Sequence, residues 1–401
     1  MATLTLHPPA DEEQLHQFAV VTAQSFQFPL EDAAPWFQRA GVDQLRIALV
    51  DGQVAGGLLL IPMAQYFGGR AVPMTGIAGV AVAPHHRGGG LATAIMDAAV
   101  AEIGAAGIAL SALYPATVRL YRQSGYEPAG LMYEAKQPLA GLHIHRLPKV
   151  TDANLRLRVL TESDRPATEA FSRRLAATRN GMLRRGPYLW SRVYHQRKFG
   201  NSAGYGVYDG DQLRAHVWLA QTGEAHKAIL HLRDLAVADA QAGIVLWRHL
   251  ASYATMFDAL AHALPPDDPW LGLLPEDTAE IAVRLPWMLR ICDLAAAMQA
   301  RGWPEQADVE LGLRISGDPS SDLNGDWALQ VRDGQGHCRR TVHADPASIL
   351  HLHLRGLTAL YSSYRSPEQL RRMALCAGDE RALATAQNLF AGQSPVMTEM
   401  F

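Results

Sequence analysis

Apolar residues along this chain fall into two rhythms, and each change of rhythm marks an element. Leu45–Val50 and residues 54–61 are short aliphatic runs separated by Asp51-Gly52, which predicts two strands joined by a tight hairpin turn. Ile77, Val80 and Val82 predict a third, buried strand, whereas Leu91, Ile95, Met96 and Val100 recur at helical spacing. Upstream, residues 3–6 read as a strand, Asp11 can cap a helix carrying Leu15, Phe18, Ala19 and Thr22, and a second helix covers Ala33–Ala40. Downstream, residues 107–113 read as a further buried strand and Val118–Gln123 as a short helix ending in Ser124-Gly125-Tyr126.

A polar segment at 148–154 interrupts the periodicity, and a second domain is expected from Leu155. Within it Leu235-Ala236-Val237-Ala238-Asp239 repeats the strand end Val80-Ala81-Val82-Ala83-Pro84, and a helix is predicted over 242–261. From Trp287 the pattern changes again. WMLRICDLAAAMQARGW reads as an amphipathic helix, residues 309–315, 327–331 and 338–342 alternate as strands, and 367–375 and 379–390 read as helices with caps at Ser366 and Asp379. The last segment, 394–401, has too few polar residues for a solvated tail. These breaks divide the chain into 1–150, 151–286 and 287–401.

Composition narrows the function. The chain has 401 residues, 48% of them hydrophobic and 19% charged, which is globular and long enough for two or three cores. With a formal charge of −3 and no Lys/Arg cluster interleaved with aromatics, nucleic acid is not expected as a partner, and a cationic substrate suits the balance better. The start, MATLTLHPPADEE, has neither a basic n-region nor an apolar core, and no apolar run approaches the ~20 residues of a membrane span, so a cytoplasmic protein away from membranes is expected. Cys292, Cys338 and Cys376 are far apart and odd in number, as reduced thiols would be. His143-x-His145 and His351-x-His353 could each pair imidazoles on a strand face, but no third ligand stands at a usual spacing, and no metal is expected.

The candidate chemistry lies at the third strand's end, where Pro84-His85-His86-Arg87-Gly88-Gly89-Gly90 leads into the helix. First-turn N–H groups have no intrahelical partner and the helix dipole is positive there, so a pyrophosphate can be held by backbone alone. Glycine removes the Cβ that would keep it away. A P-loop would need Lys and Ser or Thr after the last Gly, where Leu91 and Ala92 stand, and the G-x-G-x-x-G spacing is absent.

Arg87-Gly88-Gly89-Gly90-Leu91-Ala92 resembles the R/Q-x-x-G-x-G/A signature of the GCN5-related N-acetyltransferases. The resemblance implies that Val80 and Val82 offer backbone groups to a pantetheine, while Arg87, Gly88, Gly89, Gly90, Leu91 and Ala92 hold the pyrophosphate of acetyl-CoA. The Tyr121-to-Pro128 stretch is also similar to the superfamily's Y-x-x-x-G-Y/F-x-P, making Tyr126 the candidate general acid and Tyr121 a packing residue on the cofactor side. The second domain, lacking the glycine loop, looks like a degenerate copy with a structural role. The last third resembles a sterol-carrier-like domain.

Together the three parts resemble the Eis family, which acetylates aminoglycosides. The fold implied is α/β (α+β), with tandem acetyltransferase folds followed by a sterol-carrier-like α+β domain. In that family the C-terminal carboxylate returns to the active site as base with a tyrosine as acid, roles that fall on Phe401 and Tyr126. An aromatic and acidic drug pocket would draw on Trp36, Asp293 and Glu399. A homohexamer is implied, with a trimer as the alternative. Leu360-Tyr361-Ser362-Ser363 and Met400 depart from the family pattern and imply a narrower substrate range, with the 2′-amine of kasugamycin as the specific candidate. Acetylation of a protein amine or other polyamine, and a small-ligand carrier, are the readings from other classes.

Amide formation from a thioester needs a neutral amine, a stabilised oxyanion and a proton for the thiolate. A phenol near 10 giving its proton to a thiolate near 8.5 is uphill by ~1.5 units, about 2 kcal/mol, a small part of a catalytic barrier. A C-terminal carboxylate is a weak base unless apolar groups desolvate it, which Met400 and the Phe401 ring could do.

Overall fold

In a computed structural model, all residues are described except 1–5, 141, 143, 197–199, 223–227 and 342–348. The expected strand at 3–6 lies almost wholly outside them, as does His143; His7 forms a lone bridge to Ile47. The chain divides into two compact units, one of Met1–Gly130, Arg179–Tyr188 and Pro286–Phe401, the other of Leu131–Thr178 and Leu189–Leu285.

In the first unit α1 (Glu12–Phe26) starts at Asp11, whose carboxylate accepts from Gln14 N at 2.8 Å. It packs with α2 (Ala33–Ala40) through Phe18 stacked on Phe37, ring centroids 5.4 Å apart. Then come β1 (Leu45–Val50), β2 (Gln53–Phe67) and β3 (Arg70–Val82), an antiparallel meander. Asp51 and Gly52 both have positive φ, 50° and 78°, as the tight turn requires. Gly68 and Gly69 do the same at 58° and 82°, so the second and third strands run well beyond 54–61 and 77–82 to meet in a second hairpin.

After α3 (Leu91–Ala105) comes β4 (Leu110–Leu113), which starts later than residue 107 because Gly107 turns the chain at φ 71°. β4 runs parallel to β3 through three pairs, Met74 with Leu110, Thr75 with Ser111 and Gly76 with Ala112. It then ends at Leu113 while β3 continues to Val82, so a wedge opens between them. α4 (Val118–Gln123) and β5 (Glu127–Pro138) follow.

The helix expected over WMLRICDLAAAMQARGW is a correction. Trp287, Met288, Leu289 and Ile291 are fully buried, and this stretch completes the strand Glu280–Ile291, antiparallel to β4 with Arg290 opposite Ser111. Burial on both faces removes the polar alternation that would mark a strand. The helix starts only at Leu294, capped by Asp293, and ends at Ala300. Beyond it, five strands run in the order Gln335–Arg340, Gly325–Arg332, Asp308–Ser316, Ile349–His353, Cys376–Ala377. The first starts earlier than expected, after a turn at Asp333-Gly334, and Val342 lies outside the described residues. The helices Pro367–Arg372 and Glu380–Phe390 carry their caps at Ser366 and Asp379.

The second unit holds strands Ala259–His262, Ile229–Val237, Gln212–Thr222, Ala203–Asp209 and Leu155–Leu160 in that order, with the end of β5 beside the first. Its helix Ala240–Ala251 is shorter than the expected 242–261, because residues 259–262 form a strand parallel to Ile229–Val237. Trp247 stacks on Trp270 at 3.7 Å in its core. Among the described residues no helix is long and apolar enough to cross a membrane, and no cluster of potential ligands could hold a metal. His353 uses its ring as a helix cap, accepting from Arg355 N.

Candidate active site

The wedge between β3 and β4 is shaped by a bulge. Gly57 pairs with Ala81 and Leu59 with Ala78, so Leu58 alone faces Gly79 and Val80. Gly79 has φ 61°, and a Cβ there would stand 2.9 Å from the Trp36 ring. The side chains of Val80 and Val82 pack into the core shared with α3. Past the bulge, the chain enters the glycine loop.

Arg87 is tied down from two sides: its Nε donates to Val82 O at 3.1 Å and its Nη2 to Ser25 Oγ at 3.2 Å. Gly88 and Gly90 have φ 84° and 82°, and a Cβ on either of them or on Gly89 would meet nothing within 4 Å. The loop thus faces open space with a backbone that only glycine adopts readily. No side chain caps α3 and no acidic residue lies in its first turn; Ala94 N closes the first helical bond, onto Gly90 O at 3.0 Å. The N–H groups of Leu91 and Ala92 precede that bond, at the positive end of a long helix, which suits a diphosphate.

Tyr126 follows Gly125, another left-handed glycine at φ 78°, and is fully buried. Its hydroxyl donates to Ser111 Oγ at 2.7 Å, and Ser111 donates to Thr75 O at 2.9 Å, where β3 and β4 begin to part. Burial pushes the phenol well above its ordinary pKa and the neighbouring Cys292 adds to this, while the Ser111 bond and the Arg290 charge act the other way. Cys292 is itself pushed up to about 12 by burial and stays a neutral thiol. Tyr121 sits edge-on to Tyr126 at 6.5 Å, its pKa raised by burial.

The C-terminal segment is threaded through the same unit. Val396 N bonds Asn180 O at 3.0 Å, Gln65 Nε2 reaches Met397 Sδ at 3.8 Å, and Tyr114 OH donates to Met397 O at 3.2 Å. The Phe401 ring lies 5.9 Å from that of Tyr114, and a Cβ on Gly76 would stand 2.8 Å from it. Phe401 and the Tyr126 hydroxyl network therefore arrive at consecutive residues of β3, Gly76 and Thr75.

The remaining expected pocket residues each have a partner of their own. Trp36 stands at the wedge, its Nε1 donating to Tyr188 OH at 2.9 Å and its rings edge-on to Phe28 at 6.0 Å. Glu399 is already engaged: Arg185 Nε donates to its Oε1 at 2.5 Å and Thr398 Oγ1 to its Oε2 at 2.9 Å. Asp293 caps the helix Leu294–Ala300, its carboxylate accepting from Ala296 N at 3.0 Å. Asp before a run of alanines and a leucine was the available signal for that cap.

Ser111, Tyr114, Arg185 and Tyr188 are residues beside the candidate site that sequence reasoning did not single out, and Arg290 entered it only as part of the Trp287-x-x-Arg290-x-x-Asp293 pattern. Arg185 and Tyr188 belong to a segment far along the chain that folds into the first unit, a long-range placement with no local signature. Gly76 and Gly79, both inside an apolar strand, carried the usual signal of a bulge or of close approach.

Residues 8–129 match a model described as an acetyltransferase (GNAT) domain, residues 181–291 a second model of the same description, and residues 294–398 a sterol carrier protein domain. The N-acetyltransferase Eis of Mycobacterium tuberculosis is 26% identical over 99% of both chains. The crystal structure of a GCN5-related N-acetyltransferase from Anabaena variabilis superposes with a TM-score of 0.91 at 30% identity, covering 99% of this chain and 100% of that one. Eis1 from Mycobacterium abscessus shares the fold, with a TM-score of 0.78 at 18% identity over 99% of this chain and 100% of its own.

Proposed function

Because this chain belongs to the GCN5-related N-acetyltransferases of the Eis type, with two acetyltransferase folds before a sterol-carrier-like domain, we propose that it acetylates an amine of an aminoglycoside antibiotic. The donor, acetyl-CoA, supplies an activated acetyl thioester. The α3 N-terminus with Arg87, Gly88, Gly89, Gly90, Leu91 and Ala92 would hold its pyrophosphate, and the backbone of Val80 and Val82 its pantetheine arm, with Tyr121 packing on that side. Residues 1–150 act as the catalytic domain, 151–286 as its degenerate copy and 287–401 as the domain that delivers the tail.

In this reading the Phe401 carboxylate takes a proton from the amine, directly or through one water, a Val80 N–H stabilises the oxyanion, and Tyr126 gives its proton to the leaving thiolate. Trp36, with Tyr188 at its edge, flanks the sugar. Glu399, held by Arg185, fixes the tail, and Asp293 caps the helix Leu294–Ala300. The observation that carries the proposal is the convergence of Phe401 and the Tyr126–Ser111 network on Gly76 and Thr75.

The test is a thiol-release assay with kasugamycin, other aminoglycosides and a lysine peptide, on the N-tagged enzyme, a form lacking Phe401, a form extended beyond it and Tyr126→Phe. Turnover with an aminoglycoside, lost by roughly 10²-fold or more in the altered-tail forms and Tyr126→Phe, is expected. Turnover of the peptide alone overturns the substrate, and a fully active extended form overturns the carboxylate base. We further propose a homohexamer in the cytoplasm, a trimer being the alternative; a light-scattering mass near 43.7 kDa contradicts both assemblies.

A further inference from the structure

The Trp287-x-x-Arg290-x-x-Asp293 stretch places an arginine where the proposed reaction has need of a positive charge. Arg290 is 2% exposed and lies directly across from Ser111 in the antiparallel pair, so the two side chains share a face of the sheet. Ser111 is the hydroxyl that Tyr126 bonds. The guanidinium also fills the space beside Gly125: a Cβ there would stand 2.8 Å from its Cζ. That contact and the φ of 78° together require glycine immediately before Tyr126.

The arginine is itself gripped. Its Nη1 donates to Asp318 Oδ1 at 2.5 Å, its Nη2 to Asp318 Oδ2 at 3.2 Å and to Ser320 Oγ at 2.9 Å. Asp318 in turn accepts from Leu323 N at 3.0 Å; burial raises its pKa, but Arg290, Leu323 and Ser320 outweigh this and hold it below the usual range. The Arg290 Nε–H is buried without a hydrogen-bond partner among the described residues. A buried charge is ordinarily fully paired, and this one keeps an unused donor in the wall that contains Tyr126.

We infer that Arg290, held by Asp318, is a positioning residue that balances the negative charge left on Tyr126 when its proton passes to the leaving thiolate, an inference that rests on the acid role proposed above. As the C–S bond of the thioester breaks, the O–H bond of Tyr126 breaks and an S–H bond forms on coenzyme A; the phenolate then takes a proton from water as products leave, balanced by the proton that the base releases. The groups facing that phenol are Arg290, Cys292, Tyr121 and Ser111, and of these only Arg290 carries a charge at neutral pH. Without it, a phenolate in this dry site faces neutral neighbours alone.

The experiment is the pH profile of kcat for wild type, Arg290→Met, Arg290→Lys, Asp318→Asn, the double variant Arg290→Met with Asp318→Leu, and Tyr126→Phe. The double variant removes both charges, so no orphan carboxylate threatens the fold. Since an acid must be protonated to act, its titration is the alkaline limb. Arg290→Met and the double variant should lower kcat by about tenfold and move that limb upward, with the acetyl-CoA KM little changed. Asp318→Asn, which leaves the cation uncompensated, should move it downward by about one unit, and Arg290→Lys should restore part of kcat. A merely structural pair would not shift the limb in opposite directions. If Tyr126→Phe abolishes the limb while the arginine variants leave kcat and the limb as in wild type, the inference fails and the acid role stands. If Tyr126→Phe retains both, the acid role fails and takes the inference with it.

Discussion

The chain builds one junction twice and finishes it in two ways. In the first copy β3 ends at Val82, and the glycine loop delivers α3 with an uncapped, acid-free N-terminus. In the second, Ile229–Val237 leads almost at once into Ala240–Ala251, and Asp239 caps that helix by accepting from Ala242 N at 3.1 Å. Arg214 Nε and Nη2 hold the same aspartate at 3.1 and 2.9 Å. The orphan N–H groups and dipole that the first copy leaves for a phosphate are thus satisfied internally in the second. A carboxylate in place of the loop makes the helix start a cap, which stabilises the helix and repels an anion.

The largest effect expected comes from copying the second junction into the first. Gly90→Asp places a carboxylate at the N-cap of α3, and it should raise the acetyl-CoA KM by about 10²-fold or more, with a small fall in melting temperature because Gly90 has φ 82°. An unchanged KM in the folded variant would remove the loop from the site. Next, Tyr126→Phe should lower kcat by about 10²-fold or more at constant acetyl-CoA KM.

A smaller loss is expected from Gly76→Ala. Its Cβ would stand 2.5 Å from Met63 Cε and 2.8 Å from the Phe401 ring, tighter than real contacts, so both side chains must shift. About a tenfold drop in kcat/KM is expected, since misplacement of a reacting group by even a fraction of a residue is expensive. Wild-type kinetics would show that the seat of Phe401 is immaterial. The smallest effect belongs to Asp239→Ala, which should cost about 1 kcal/mol of stability and leave turnover untouched. A loss of turnover there would mean that the second junction contributes to catalysis after all.

What could be read from the sequence was whatever depends on local chemistry. Ala33–Ala40, Leu45–Val50 and Val118–Gln123 were foreseen at their observed bounds, and the caps at Asp11, Ser366 and Asp379 are where short polar residues precede apolar runs. The glycine loop was legible for the same reason. The failures are non-local. Residues 287–291 mimic a helix because both strand faces are buried, and residues 259–262 look continuous with the helix before them until a parallel strand claims them. The cap role of Asp293 for Leu294–Ala300 was hidden because the helix was expected to start earlier. Arg290 and Tyr188 acquire their meaning only from what lies across a sheet or far along the chain.

The difference between the junctions is most directly measured by calorimetric titration of coenzyme A into the wild-type protein, Gly90→Asp and Asp239→Ala. One site per chain is predicted in wild type, lost in Gly90→Asp and retained with unchanged affinity in Asp239→Ala. Two sites per chain, or a single site that survives Gly90→Asp and disappears with Asp239→Ala, would contradict the assignment of cofactor binding to the first copy alone.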